Sequence, residues 1–435
     1  MGDNCERHTM SLGYKWRSSK WFVLATISIA LFAETFLYGF LVPFLGDLLR
    51  FRLHVPPSEI QELTSSVLAI HGALAMIAGP IIGHFSDQTP NRKAPLILSL
   101  AICIAGTVIV ASGRSVAILL LGRAMQSIAG SAVWIIGFAT VADTVSPNNM
   151  GSAMGLVMSF ANSGTISGPA ISGLLYEAVG YWVVWSVPLL VLVIDLVARV
   201  LMIESPSEIS TSAARSNESE ATRPLLPQRS QEAPSGTGGL WRLLLCNGRV
   251  LTCLLITFSS LTVSTSLYAT LPLHIEEKFQ WGPSSAGFLF AGLAVPGILI
   301  GPFAGWVRDR VGARYPALVG SILQALFLSL SGVAGTNTFP WFNSQAGGKS
   351  IYSISLVAVG ILRPFVSGIA PAELTAVAKS IRKKNPIVSD GQDGVSRVIA
   401  MMDVAASLGM MVGPMLGGAL KALLGYKYMS FMWCE

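Results

Sequence analysis

Charge is scarce in this sequence. Only 12% of its 435 residues are Asp, Glu, Lys or Arg, about half the share that keeps the surface of a soluble domain wetted. That figure excludes a soluble enzyme of several domains, and with it disordered, fibrous and nucleic-acid-binding chains. Cysteine is sparse as well. Cys5, Cys103, Cys246, Cys253 and Cys434 are scattered, with no CxxC pair and no His cluster beside them, so neither a disulfide framework nor a metal site is implied. HExxH, GxSxG and the phosphate-binding P-loop are also missing, which argues against an embedded enzyme and against ATP as a driving force. No cofactor is expected.

What the chain does have is apolar length. Apolar residues make up 52% of it, and the mean hydropathy is +0.61. A helix that crosses a bilayer needs about 20 residues. Apolar runs of that size fall near 21–45, 63–85, 95–112, 115–143, 150–175 and 182–203, then near 250–273, 284–307, 315–334, 352–372 and 397–420. The predicted class is an all-α polytopic membrane protein. The first run is too long for a signal-peptide core and is interrupted by Glu34, so it is expected to stay as a helix.

Basic residues set the orientation. With the N-terminus in the cytosol, about 18 Lys and Arg fall in inside loops, among them Lys20, Arg92, Lys93, Arg308, Arg310 and Arg314, against about 7 outside. Residues 1–20 then form a cytosolic tail, 21–203 a first six-helix half, and 244–435 a second half. Residues 204–243 are rich in Ser, Glu, Pro, Thr and Gly and read as a disordered cytosolic linker. After Gly425 only Tyr426 to Glu435 remain. At 1.5 Å per residue they span about half of a 30 Å core, so helix 12 reads as truncated and activity as open to compromise.

The two halves repeat each other. Gly79-Pro80-Ile81-Ile82-Gly83 with Asp87, Arg92 and Lys93 recurs as Gly301-Pro302-Phe303-Ala304-Gly305 with Asp309, Arg310, Gly312 and Arg314. Gly164, Gly168, Pro169 and Gly173 in the fifth run recur as Gly409, Gly413, Pro414 and Gly417 in the eleventh. Duplication of this kind builds transporters that enclose a cavity between two halves.

These motifs carry a family resemblance over essentially the whole chain. It resembles the major facilitator superfamily, and within it the drug:proton antiporter branch. The Gly83…Asp87…Arg92-Lys93 loop is similar to the superfamily's GxxxDxxGRR loop, with Gln88 to Asn91 where a glycine is expected; Gly305…Asp309-Arg310…Gly312…Arg314 follows it more closely. The stretch GTISGPAISGLLYEAVGY from Gly164 resembles the antiporter signature. Glu34 ahead of Val42-Pro43, Leu271-Pro272, and Met402-Asp403-Val404 further resemble the vesicular monoamine transporter-like group. That group's membrane lysine is His71 here, and Arg363 replaces its tenth-helix aspartate, so the resemblance implies antiport without implying an amine as cargo. It implies export of a drug, toxin or secondary metabolite of the kind fungi secrete. The alternatives are a uniporter or symporter of a small organic solute, or a truncated member that transports nothing.

A carboxylate inside a membrane costs at least a few kcal/mol unless it has a partner or water. Glu34 and Asp403 are therefore candidate proton and cation sites, against the plainer reading of interhelical hydrogen bonds. His71 titrates near neutral pH in its free form, and Glu34 is its candidate partner. Arg123 matches a superfamily arginine implicated in proton transfer, and can tune a carboxylate without titrating itself. Arg363 before Pro364 holds either an anionic cargo or Asp403. Asp195 and Arg199, at i and i+4, read as a structural pair. Asp87 and Asp309 at helix ends are candidates to latch the halves on the cytosolic side. The glycines of the fifth and eleventh runs let helices approach and bend. Trp134, Phe138, Tyr38, Phe160, Tyr268 and Phe288 are candidate cavity aromatics. The expected partners are a small molecule, protons and lipid, with no nucleic acid and no ATP. A monomer is expected, in the plasma membrane or alternatively a vacuolar or vesicular one.

Overall fold

The computed structural model describes residues 14–88, 92–145, 150–203, 247–312, 314–335, 347–367, 373–374, 377 and 393–433. The predicted linker at 204–243 lies outside them. The first half comprises α1 (Lys20–Phe40), α2 (Ile60–Gln88), α3 (Lys93–Ser112), α4 (Val116–Thr144), α5 (Met150–Val179) and α6 (Ser186–Leu201). The second comprises α7 (Gly248–Phe279), α8 (Pro283–Val311), α9 (Arg314–Val333), α10 (Gly347–Ser367), α11 (Asp393–Leu424) and the seven-residue α12 (Tyr426–Met432). Among the described residues there is no strand.

Ten of these helical segments are long and apolar enough to cross a membrane. The predicted run at 150–175 is not among them. It is helical as α5, 30 residues long, but Gly, Ser and Asn along it hold its hydropathy down. Local sequence sets the boundaries. The hydroxyls of Ser19 and Ser115 accept from the amides of Phe22 and Ile118 and so start α1 and α4. Pro43 breaks regular α-helix after α1, and a 3₁₀ turn (Val42–Phe44) and a π turn (Leu48–Arg52) carry the chain onward. Gly180 and Gly425, at φ 80° and 84°, make the same corner before α6 and α12, where a left-handed backbone suits glycine.

The pseudo-symmetry is exact enough to follow in single contacts. α5 packs on α1 through Gly164 and Gly168, where an added Cβ would run into the Phe32 and Phe36 carbonyls. α11 packs on α7 through Gly409 and Gly413, which face the Phe258 and Thr262 carbonyls in the same way. Thr35 of α1 donates to the Ala161 carbonyl at 2.7 Å, and Thr265 of α7 donates to the Gly409 carbonyl at 3.2 Å. The halves meet where α2 packs on α11 and α5 on α8.

That contact is tight at one end only. At the end carrying residues 44–60, Gly72 sits against the Met411 amide, and Gly287 against the Pro169 carbonyl; an added Cβ would lie 2.5 and 2.7 Å from these atoms. The largest apolar cluster fills this end with Phe44, Leu45 and Leu48 from one half and Leu271, Leu273 and Phe290 from the other. Toward the other end, where Leu201 ends α6, the helices part. Among the described residues, Gly83 of α2, Gly155 of α5, and Gly301 and Gly305 of α8 have no neighbouring atom within 4 Å of an added Cβ. Among the described residues the halves thus close on each other at one end and stand apart at the other, as an open cleft.

Polar ties cross the closed end. Arg50 pairs with Glu276, and Gln61 donates to the Ala269 carbonyl at 3.1 Å. Glu177, at the end of α5, caps α8 of the other half: its carboxylate accepts from the Ser284 amide at 3.0 Å and the Ser284 hydroxyl at 2.5 Å. Glu177→Ala is expected to lower stability by about 1 kcal/mol, the usual cost of a lost helix cap, and Glu177→Gln by less. Thermal unfolding of the purified protein reads the difference.

Candidate functional site

Glu34 stands on α1 just below the closed end, with its side chain 11% exposed. One carboxylate oxygen faces His71 Nε2 on α2 at 3.4 Å, and the other accepts from Trp134 Nε1 on α4 at 2.8 Å. α4 comes this close because Gly130 faces the carboxylate, where a Cβ would stand 2.7 Å from Oε1. The Ser127 hydroxyl donates to the His71 carbonyl at 2.6 Å and ties α4 to α2. Sequence reasoning paired Glu34 with His71, and the structure brings them together.

Tyr38, one turn along α1, lies 4.8 Å from His71 and 6.1 Å from Tyr268 of the second half, ring centre to ring centre. Arg123 is buried beside it, its guanidinium 5.6 Å from the Tyr38 ring. Arg123 donates to Gln126 at 3.0 Å, and Gln126 to Thr107 at 2.9 Å. Glu34, Leu37, Tyr38, His71, Cys103, Arg123 and Gln126 line a small cavity. Around it, among the described residues, Arg123 Nε and Nη2, the Tyr38 hydroxyl and His71 Nδ1 have no hydrogen-bond partner. A buried polar atom without a partner costs free energy.

Asp403 is elsewhere. It is exposed on α11, across from Gly79 of α2, with Oδ2 4.0 Å from the point a Gly79 Cβ would occupy. The two carboxylates therefore belong to different halves, Glu34 within the first and Asp403 on the cleft wall of the second. Arg363 is half-buried on α10, within electrostatic range of Tyr268. Of the candidate aromatics, Trp134, Tyr38 and Tyr268 join the buried cluster, and Phe138 packs on Trp134 at 5.4 Å. Phe160 and Phe288 are exposed.

The loop motifs sit at the open end. Lys93 donates to the Val200 and Met202 carbonyls at 2.8 and 2.5 Å, beside Arg17 on the Leu201 carbonyl at 2.6 Å. It thus finishes α6 within its own half. Arg310 lies over Trp306 one turn back on α8, Gly312 ends that helix at φ 86°, and Arg314 begins α9. The side chains of Asp87 and Asp309 fall outside the described residues. Asp195 and Arg199 form the expected pair, fully buried, with bonds of 2.9 and 2.6 Å.

Sequence reasoning missed the parts that Ser127, Gly130 and Gln126 play, and the capping by Glu177. A signal for the first two was present. Arg123, Ser127, Gly130 and Trp134 follow one another at helical spacing and so share one face of α4.

Known proteins carry the same architecture. A model of the Major Facilitator Superfamily matches residues 27–271 and 253–434, and the chain belongs to that family of transporters. It is 27% identical to an uncharacterized MFS-type transporter of Schizosaccharomyces pombe, over 95% of this chain and 92% of the relative. To the MFS-type transporter ppzB of Metarhizium rileyi it is 26% identical, over 96% and 92%. The vesicular acetylcholine transporter of Drosophila melanogaster is 20% identical, over 94% of this chain and 68% of its own. Among solved structures, a bacterial homologue of the lysosomal transporter Spinster, inward-facing and unoccupied, matches at TM-score 0.67 and 14% identity, covering 92% of this chain and 82% of its own. The nucleoside transporter NupG matches at TM-score 0.68 and 11% identity, covering 95% and 96%. At those identities the likeness is one of fold.

Proposed function

We propose that this transporter is a proton-coupled antiporter that exports a small amphipathic organic molecule, cationic or aromatic, such as a drug, toxin or secondary metabolite. The observation that carries the reading is the Glu34 carboxylate, nearly buried, held by His71 and Trp134 beside the Arg123 guanidinium. A carboxylate so placed in a membrane is retained for ion or proton traffic more readily than for packing. Asp403 on the cleft wall offers a second charge that a cationic cargo or a proton can neutralise, but not both together. Competition of that kind is the simplest basis for exchange. With the N-terminus in the cytosol, the open end of the cleft faces the cytosol and loads cargo there. The protein works as a monomer in the plasma membrane, driven by protons and without ATP.

A resistance screen in cells, across cationic and neutral toxins, first identifies a cargo. Purified protein in proteoliposomes, under an imposed pH gradient, should then move that cargo uphill. Glu34→Gln and Asp403→Asn are each expected to lose gradient-driven uptake. Full uptake in both variants, or flux indifferent to a collapsed gradient, would point to uniport and sink the coupling mechanism.

A further inference from the structure

We propose that Trp134 is the positioning residue of Glu34: its indole N–H holds the carboxylate, and its ring stands between that carboxylate and the open cleft. The inference rests on the reading of Glu34 as the proton-carrying group and adds how that group is addressed by cargo. Three observations support it. The Trp134 bond to Oε2, at 2.8 Å, is the shorter of the two contacts Glu34 makes, His71 being at 3.4 Å. Gly130, one turn earlier on α4, supplies the clearance this approach requires, so the helix is shaped to deliver the indole. Trp134 itself is half-buried while Glu34 is nearly enclosed, and its ring continues toward Phe138.

The next residue connects the two carboxylates. Ile135 lies 3.9 Å from the position of a Gly79 Cβ, with Asp403 Oδ2 at 4.0 Å from the same point. One turn of α4 therefore touches Glu34 on one side and the neighbourhood of Asp403 on the other. A flat cationic or aromatic cargo entering from the open end meets the indole face before it can reach Glu34. Rings bind such groups through their faces, and any shift of the ring moves the N–H off Oε2. Cargo position therefore reaches the carboxylate through one bond.

Other groups also face Glu34. His71 comes from α2, Tyr38 from α1 itself, Cys103 from α3, Arg123 from α4, and Asp403 from α11 at longer range. A Trp134 substitution leaves each of these side chains in the sequence, which isolates the indole's share.

The test needs no cargo. pH-difference infrared spectra of the full chain in lipid vesicles report the C=O stretch of protonated carboxyl groups, and the band absent from Glu34→Gln belongs to Glu34. Trp134→Phe and Trp134→Met both remove the donor and keep a large apolar side chain, so whichever variant stays folded gives the readout. The Glu34 C=O band is expected at a higher frequency in both variants than in the wild type, because that stretch responds to the loss of one hydrogen bond. An unchanged band frequency, with the band still absent from Glu34→Gln, overturns the role of Trp134 alone. If Glu34→Gln removes no band, Glu34 does not titrate and the proton-carrier reading falls with it.

Discussion

Asp195→Ala is expected to cost about 3–5 kcal/mol, because it leaves the Arg199 guanidinium buried without its counter-charge. Arg199 and Asp195 are each 1% exposed, and their two hydrogen bonds run along one face of α6. Arg199 also donates to the Leu96 carbonyl and the Ser99 hydroxyl of α3, so α6 and α3 separate, or water enters, when the aspartate is gone. The double variant Asp195→Ala with Arg199→Met removes the charge along with its partner and should recover most of the loss. A buried ion pair is strongly missed when halved and weakly missed when both members go. Melting temperatures of the three proteins in detergent check it. If the double variant melts no higher than Asp195→Ala, the ion pair is not what the single substitution broke.

Gly413→Val should be nearly as damaging, by about 3 kcal/mol, the upper end for overpacking, because a side chain there would strike the Thr262 backbone, which cannot give way, as well as the Thr265 hydroxyl. An added Cβ at Gly413 meets the Thr265 hydroxyl and the Thr262 carbonyl of α7. The Thr265 hydroxyl is also committed to the Gly409 carbonyl. Gly164→Val repeats the experiment in the other half, against Thr35 and Phe32 of α1. The control is Gly305→Ala at the open end, where nothing among the described residues lies within 4 Å, and no loss is expected. Yield of monodisperse protein and its melting temperature separate the two outcomes. Equal tolerance at Gly413 and Gly305 would show that the α7–α11 contact is looser than described.

The repeat was legible because duplication leaves its mark in residue type. Gly168, Gly173, Gly180 and Tyr181 are matched at one constant spacing by Gly413, Gly418, Gly425 and Tyr426. These positions are fixed by close helix approach and by a left-handed corner, which few other residues tolerate. The seal across the closed end was not legible. Glu177 has Ala422 at its matching position, so the cap it places on α8 belongs to one half only and leaves no repeated pattern. Nor could spacing tell that Lys93, in a motif expected to latch the halves, finishes α6 of its own half. A basic side chain at a helix end satisfies carbonyls wherever they are nearest.

The sequence by itself determined a membrane protein of two matched helical halves, its helix positions to within a few residues, and the residues worth asking about. Apolar length and glycine spacing are local quantities, and a bilayer enforces them strongly. Only the tertiary structure decided that Glu34 meets His71 and Trp134 while Asp403 lies on α11 beside Gly79 of α2, and that the described halves close at one end. Those facts depend on the rotation and tilt of helices from distant parts of the chain. A period of 3.6 residues places a side chain on a face, and packing alone says what that face meets.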